Sequence, residues 1–228
     1  MSDLRLIRGA SNSRFGGIHW YEWKPKEEAV VGPPVRDLVL LHPVPLDATV
    51  FNVIAPLLAA GRTVVAPEYP GHGRSDALRE APTIGKYAEA MVDMLRARDT
   101  HGAADLLGYA AGCLVAGEMA LRYPDEIHAL VLVDVPYFSA SERRQKLREH
   151  GDVPGCLAAW SYPCQERFPM VGQACLVVNT QRELLEPAQE AAGALANARF
   201  TTIPGEGGLA DPSLAEKVSA ATLEFLAS

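Results

Sequence analysis

The chain has 228 residues, of which 48% are hydrophobic and 21% charged, a composition typical of one globular domain with a single core. Its formal net charge of −7 disfavours nucleic acid or an anionic membrane as the partner, because both are polyanions. No apolar run approaches the roughly 20 residues of a membrane span, and the N-terminus lacks a signal-peptide pattern, so we expect a cytoplasmic protein. The four cysteines form no C-x-x-C pair, and we expect neither a metal site nor a cofactor.

Short apolar runs alternate with helical patterns along most of the chain. Such runs are typical of buried strands, and they predict strands at 37–42, 63–67, 104–107, 128–134, 174–179 and 200–203. Helical periodicity predicts helices at 51–58, 83–98, 113–120, 186–197 and 212–226. This alternation predicts an α/β fold, a mostly parallel sheet of about eight strands with helices on both faces, in a single domain over 1–228.

The segment 136–172 interrupts the alternation. Its first half, from Ser141 to His150, is charged and helix-prone, whereas prolines and aromatic residues mark the second half. Two interpretations stay open, a small cap insertion that lies over a binding site or a surface connection.

One turn carries the spacing of a nucleophile elbow. Between a predicted strand and a predicted helix, residues 108–112 read GYAAG, which fits G-x-S-x-G except that Ala110 stands at the serine position. Glycines at both ends would relieve the crowding that such a turn creates. The plainer alternative is a helix N-terminus with two packing glycines.

Two further stretches point to a family. Residues 40–43, LLHP, resemble an apolar strand followed by a His-Gly oxyanion turn, and residues 64–76, VVAPEYPGHGRSD, are similar to the signature A-P-D-x-P-G-H-G-x-S-D. On these motifs the chain resembles the α/β-hydrolase superfamily, in its small, reduced-cap bacterial branch of esterases and lactonases. Pro43 replaces the usual glycine, and Glu68 replaces the usual aspartate.

The resemblance implies a degenerate catalytic triad. In the family a serine, an acid and a histidine follow one another along the chain. Ala110 leaves the nucleophile position vacant, and Gly208 stands at the histidine position in the turn 203–208. Arg182 falls at the acid position, so Glu183, one residue on, is the nearest acid.

The resemblance also implies which groups would contact a ligand. The backbone N–H groups of Val44 and Ala111 map to the oxyanion hole, and His42 and Tyr109 border the same pocket. Cys113 lies one helical turn beyond Ala110 and is either a substitute nucleophile or, as we favour, a buried packing residue. His42 is either an acid-base group or a structural residue.

Asp134 ends a strand at a place where some members of the superfamily carry the acid. With no histidine to orient, we expect its carboxylate to bind backbone instead.

Three functions are compatible with the sequence. A ligand-binding protein on a hydrolase scaffold is favoured by the missing serine and histidine. An enzyme with triad-independent chemistry, of the lyase, isomerase or cyclase kind, would need only an oxyanion hole and one acid or base. A carboxylic-ester hydrolase, including an inactivated variant of one, is the third. Whether the protein is an enzyme stays open; the expected partner is a small, largely apolar organic molecule, and homodimerisation is left open.

Overall fold

The strands form one mixed sheet. The computed structural model describes residues 4–26, 35–98 and 102–228, and in these ranges eight strands are arranged in the order β1-β2-β4-β3-β5-β6-β7-β8. The strands are β1 Leu4–Ser13, β2 Gly16–Pro25, β3 Leu38–Leu41, β4 Val64–Pro67, β5 Ala104–Tyr109, β6 Ile127–Val133, β7 Ala174–Asn179 and β8 Ala198–Thr202. β3 to β8 are parallel, whereas β1 and β2 pair antiparallel with their neighbours. The predicted α/β fold is confirmed.

Helices cover both faces of the sheet. They are α1 Ile54–Leu58, α2 Ile84–Ala97, α3 Gly112–Arg122, α4 Ala140–His150, α5 Pro154–Ser161, α6 Cys164–Arg167, α7 Leu185–Ala194 and α8 Pro212–Leu226. Val39 and Leu41 of β3 face one apolar core with α2 and α3, and Leu38 and Leu40 face a second core with α1 and α8. Because both faces are buried, the central strands are continuously apolar rather than alternating.

Two elements differ from the sequence expectation. The hairpin of β1 and β2 was not predicted, because β1 alternates between exposed and half-buried residues and contains no apolar run. The helix predicted at 51–58 is shorter. Asp47 accepts a hydrogen bond from the Thr49 backbone N–H and starts a 3-10 turn at Ala48–Phe51, so the α-helix begins only at Ile54.

Residues 136–172, called the cap segment below, connect β6 to β7 and contain α4, α5, α6 and a 3-10 turn. A capping box formed by Ser139 and Glu142 starts α4, which buries none of its residues. α5 and α6 instead bury apolar side chains in the core that contains α3. Among the helices of the described ranges, none is both long and apolar enough to cross a bilayer.

Candidate functional site

The elbow turn retains its strained shape around an alanine. β5 ends at Tyr109, α3 begins at Gly112, and Ala110 between them has φ +48°. A side chain at Gly112 would overlap the carbonyl oxygen of Leu41, so close packing against β3 fixes the turn. Left-handed backbone costs a non-glycine residue about 1–2 kcal/mol, and the surrounding packing supplies that energy. The strand–turn–helix arrangement predicted for 108–112 is therefore present, with a methyl group at its apex.

Gly208 and Tyr109 meet at the position that the resemblance assigns to the histidine. Gly208 follows β8 with φ +63°, and a Cβ atom placed on it would overlap the hydroxyl oxygen of Tyr109. The phenol thus fills the space into which a side chain at 208 would extend. Burial raises the pKa of Tyr109, and hydrogen bonds from the Leu209 backbone N–H and the Gln181 side chain act in the opposite direction.

The buried acid of the site is Asp134, at the end of β6. Its carboxylate accepts hydrogen bonds from the Thr180 backbone N–H at 2.7 Å, the Thr180 hydroxyl at 2.6 Å and the Gln181 side-chain amide at 3.2 Å. Asp134 is fully buried and has φ +56°. As expected from the sequence, the carboxylate binds backbone, and it fixes the turn that follows β7. The sequence reasoning missed Gln181, for which no local motif gave a signal.

Glu183 lies on the surface rather than beside Ala110. It is exposed in the 3-10 turn Arg182–Leu184 and lines an open groove of about 960 Å³ between the turns after β7 and β8. The other residues along this groove are Asn179, Thr180, Gln181, Arg182, Leu185, Thr202, Pro204, Gly205, Glu206, Gly207 and Gly208. The structure therefore brings the predicted acid and histidine positions to one groove, next to the Tyr109 hydroxyl.

His42 has no free ring nitrogen. The imidazole is fully buried, Nδ1 donates to the Pro43 carbonyl at 2.9 Å, and Nε2 accepts from the Tyr69 backbone N–H at 3.2 Å. Burial lowers its pKa to about 3, so the ring is neutral at pH 7. In this structure His42 exposes no surface to a ligand, and it positions the turn that begins at Tyr69.

The thiol of Cys113 is packed in the core. Its Sγ is fully buried and donates to the carbonyl oxygens of Gly108 at 3.2 Å and Val133 at 3.3 Å. Burial raises the pKa of this thiol well above its usual range, whereas the nucleophilic form of cysteine is the thiolate. This supports the packing role over the nucleophile. Across residues 4–26, 35–98 and 102–228, no three His, Cys, Asp or Glu side chains are grouped to hold a metal ion.

The two backbone groups assigned to the oxyanion hole have no internal partners. Neither the Val44 nor the Ala111 N–H donates a hydrogen bond to a described residue. Val44 lies under the cap segment, since a Cβ on Gly155 would come within 2.8 Å of the Val44 Cβ and 2.9 Å of His72 Nε2. Both N–H groups thus lie without a hydrogen-bond partner among the described residues, and the cap segment packs closely on Val44.

The cap segment is fastened to α3 by a buried carboxylate. Glu118 accepts from the Tyr162 hydroxyl at 2.8 Å and from Arg167 Nη2 at 2.8 Å. Next to it, Phe168 packs so closely on Gly117 that a Cβ there would lie 2.8 Å from the ring. These contacts hold the second half of the cap segment against the body of the protein.

Comparison with known proteins agrees with this geometry. Residues 38–155, more than half of the chain, match the alpha/beta hydrolase fold family, and the chain belongs to that family. A hydrolase from Pseudomonas aeruginosa PA01 superposes with a TM-score of 0.80 at 17% identity over 97% of this chain and 98% of the other. The enol-lactonase from Burkholderia xenovorans LB400 gives 0.78 at 17% identity over 96% and 100%. At such low identity these two likenesses define the fold alone.

Among curated proteins, the chain is similar to the pimeloyl-[acyl-carrier protein] methyl ester esterase of Klebsiella pneumoniae (strain 342). The two are 30% identical over 165 residues, which are 71% of this chain and 58% of that esterase. The chain spans between 36% and 58% of the length of the curated relatives it matches.

Proposed function

We propose that this protein binds a small organic ligand at the former active site of an α/β-hydrolase scaffold and does not hydrolyse esters through a serine nucleophile. Ala110 offers no attacking oxygen, and Gly208 offers no base. The backbone N–H groups of Val44 and Ala111 have no partner among the described residues. A groove of about 960 Å³ is lined by Gly208, at the histidine position. Such a site can hold a carbonyl oxygen or a carboxylate without attacking it.

The observation that carries this proposal is the overlap between Tyr109 and the histidine position. If only the serine were missing, a base would still stand ready beside the elbow. Here the phenol of Tyr109 occupies that space, which supports a site that works without a histidine base. The buried Asp134 orients Gln181 instead of an imidazole.

Fluorophosphonate labelling and turnover of p-nitrophenyl butyrate test the hydrolytic part. The protein should give no covalent adduct and no more p-nitrophenol than the heat-denatured sample. Ala110→Ser combined with Gly208→His should stay inactive, since the new imidazole would collide with Tyr109, and adding Tyr109→Phe should relieve that collision. Labelling of the unmodified protein by the fluorophosphonate would refute the proposal.

Native mass spectrometry of gently purified protein tests the binding part. A retained organic molecule should be lost after Thr202→Trp, which places a bulky ring in the groove. Ala196→Trp, at the opposite end of β8, is the matched control and should retain the molecule. Equal retention by both variants would show that the groove is not the binding site.

A second candidate is an ester hydrolase, which the named activity of the curated relatives favours. It requires a nucleophile other than a side chain at 110. Turnover of p-nitrophenyl butyrate that survives Cys113→Ser and Glu183→Gln would support an unassigned nucleophile. Turnover that disappears with either substitution would identify the group responsible.

A third candidate is triad-independent chemistry, favoured by the unpaired N–H groups of Val44 and Ala111. These donors could stabilise an enolate, which is the intermediate of many isomerase and lyase reactions. Exchange of the α-protons of a ketone such as butyrophenone in D₂O, followed by ¹H NMR, would detect it. No exchange above the rate in buffer would remove this candidate.

A further inference from the structure

The cap segment covers His72 through a glycine of α5. Gly155 is the second residue of α5, and a Cβ atom on it would lie 2.9 Å from His72 Nε2 and 2.8 Å from the Val44 Cβ. Only a residue without a side chain lets the first turn of α5, residues 154–157, come this close. The imidazole and Val44, whose N–H has no partner among the described residues, are therefore covered by the same point of the cap segment.

The tautomer of His72 leaves Nε2 without a hydrogen-bond partner. Nδ1 donates to the Pro70 carbonyl oxygen at 3.3 Å, so the neutral ring carries its proton on Nδ1 and a lone pair on Nε2. Within the described ranges, no acceptor lies within hydrogen-bond distance of Nε2. A second proton, taken up in acid, would add to Nε2 against the packed face of Gly155 and Val44. A charged N–H group held there without an acceptor destabilises the closed arrangement.

The charges around His72 do not compensate for this placement. The titratable groups that surround it or flank Gly155 in sequence are His42, Tyr69, Tyr87, Asp47, Glu68, Asp152 and Cys156. Burial lowers the pKa of the half-buried His72, although the carboxylates of Asp47 and Glu68 act in the opposite direction. The ring of His42, 5.4 Å away between centroids, is a second imidazole rather than a counter-charge. The N-terminal end of α5, the positive end of the helix dipole, also disfavours a cation.

The two halves of the cap segment are held to the body in different ways. Glu118 of α3 fastens the second half through Tyr162 and Arg167, whereas α4 in the first half buries none of its residues. α5 ends at Ser161, directly before the anchored Tyr162. Its first turn can therefore lift from His72 while its last turn stays in place.

We propose that the contact between His72 and Gly155 is a pH-sensitive closure of the cap segment, in which a second proton on the imidazole releases the first turn of α5 and uncovers Val44. The proposal rests on the proposed function and assigns regulation to the same site, since a ligand would enter and leave more readily in acid. In the released state the hydrated imidazole takes up its proton near the ordinary value of about 6.5. Because the closed state binds this proton less tightly, the closed state loses stability as the pH falls below about 6.5.

Hydrogen–deuterium exchange of the whole protein, resolved by mass spectrometry of peptic peptides, measures the opening. Exchange is followed at about pH 7 and about pH 5.5, and each rate is divided by the intrinsic rate at that pH. If one proton is taken up only in the open state, the normalised rate of the first turn of α5 should rise about eightfold between these two pH values. Peptides from α6 and β6 should keep the same normalised rate, because their anchors do not involve His72.

Three histidine variants identify the group that titrates. His72→Phe keeps an aromatic ring without a titratable nitrogen, and His72→Gln keeps a polar side chain that stays neutral. Both should show equal normalised rates at the two pH values. His150→Gln removes an exposed imidazole from α4 of the same cap segment and should keep the eightfold rise of about the parent's size.

Gly155→Ala and Gly172→Ala form a matched pair within the cap segment. A methyl group at 155 would collide with His72 and Val44, whereas one at 172 would meet nothing within 4 Å. Gly155→Ala should therefore speed exchange of the first turn of α5 about fivefold or more at neutral pH. Gly172→Ala should exchange like the parent.

A normalised rate that is equal at the two pH values in the parent, or a rise that survives in both His72 variants, would overturn the proposal. So would a parallel rise in β6, which indicates global unfolding, or a Gly155→Ala variant that exchanges as slowly as the parent. None of these measurements needs a ligand. A molecule retained in native mass spectrometry alongside such a result would leave the proposed function standing, so the two failures are distinguishable.

Discussion

The left-handed backbone at Ala110 makes a quantitative prediction about stability. Ala110→Gly should relieve about 1–2 kcal/mol of backbone strain, because glycine adopts a positive φ freely. Against this gain, glycine increases the entropy of the unfolded chain by about 0.4–1 kcal/mol. Some contact of the half-buried methyl group is also lost. The net expectation is a rise in the free energy of unfolding of about 0.5 kcal/mol, whereas most substitutions lower it.

The neighbouring residue supplies the control. Ala111 has φ −58° and is buried, so Ala111→Gly relieves no strain, increases the unfolded-state entropy and removes a buried methyl group. We expect it to lower the free energy of unfolding by about 1–2 kcal/mol. The same chemical change at adjacent positions should thus have opposite signs.

Urea unfolding followed by tryptophan fluorescence measures both variants, with the slope m checked for constancy. If Ala110→Gly destabilises as much as Ala111→Gly, the turn at 110 does not store strain. The interpretation of a retained elbow would then be wrong.

Three other predictions concern burial. As the pH falls below about 6.5, the unfolded state protonates His42 before the folded state does. The free energy of unfolding should therefore fall by up to about 1.4 kcal/mol per pH unit between pH 6 and 4. In His42→Gln, the free energy of unfolding measured by urea titration should depend less steeply on pH. Asp134→Asn should lower the free energy of unfolding by about 2 kcal/mol. The substitution replaces a carboxylate oxygen, which accepts from the Gln181 side-chain amide, by an NH₂ group that cannot accept this hydrogen bond. Tyr162→Phe should speed iodoacetamide labelling of Cys164 in the cap segment about tenfold and leave Cys175 in β7 unchanged, as resolved by peptide mass spectrometry.

Each of these has a clear contrary result. An identical pH slope with and without His42 would show that another group controls acid sensitivity. An Asp134→Asn variant as stable as the parent would show that the turn after β7 does not depend on the charge. Parallel acceleration at Cys164 and Cys175 would indicate global unfolding rather than local release of the cap segment.

The central strands could be predicted because a strand that is buried on both faces has a continuous run of apolar residues. The run at 37–42 reads as a strand without any knowledge of its neighbours. The elbow was predictable for a similar reason, since the crowding within this turn requires glycine at positions 108 and 112, where a Cβ would overlap backbone atoms. The β1–β2 hairpin escaped prediction because β1 alternates between exposed and half-buried residues and so contains no apolar run.

The contents of the site were predictable only in part. That Ala110 and Gly208 lack reactive side chains is visible in the sequence. That the Tyr109 hydroxyl fills the space beside Gly208 is not, because the two residues lie about a hundred positions apart and meet only when β5 and β8 join the same sheet. Gln181 was missed for the same reason, since its importance depends on Asp134 across the β6–β7 junction.

The conformation of the elbow turn does not depend on which side chain stands at position 110, and this is useful for protein engineering. Its conformation is dictated by what surrounds Gly112, on the far side of the turn, so residue 110 itself contributes little to the geometry. A cysteine, an aspartate or a synthetic amino acid placed at position 110 would have its Cα–Cβ bond held in one direction, just before the start of α3. Position 110 is therefore a site at which a reactive side chain can be installed in a protein that already folds.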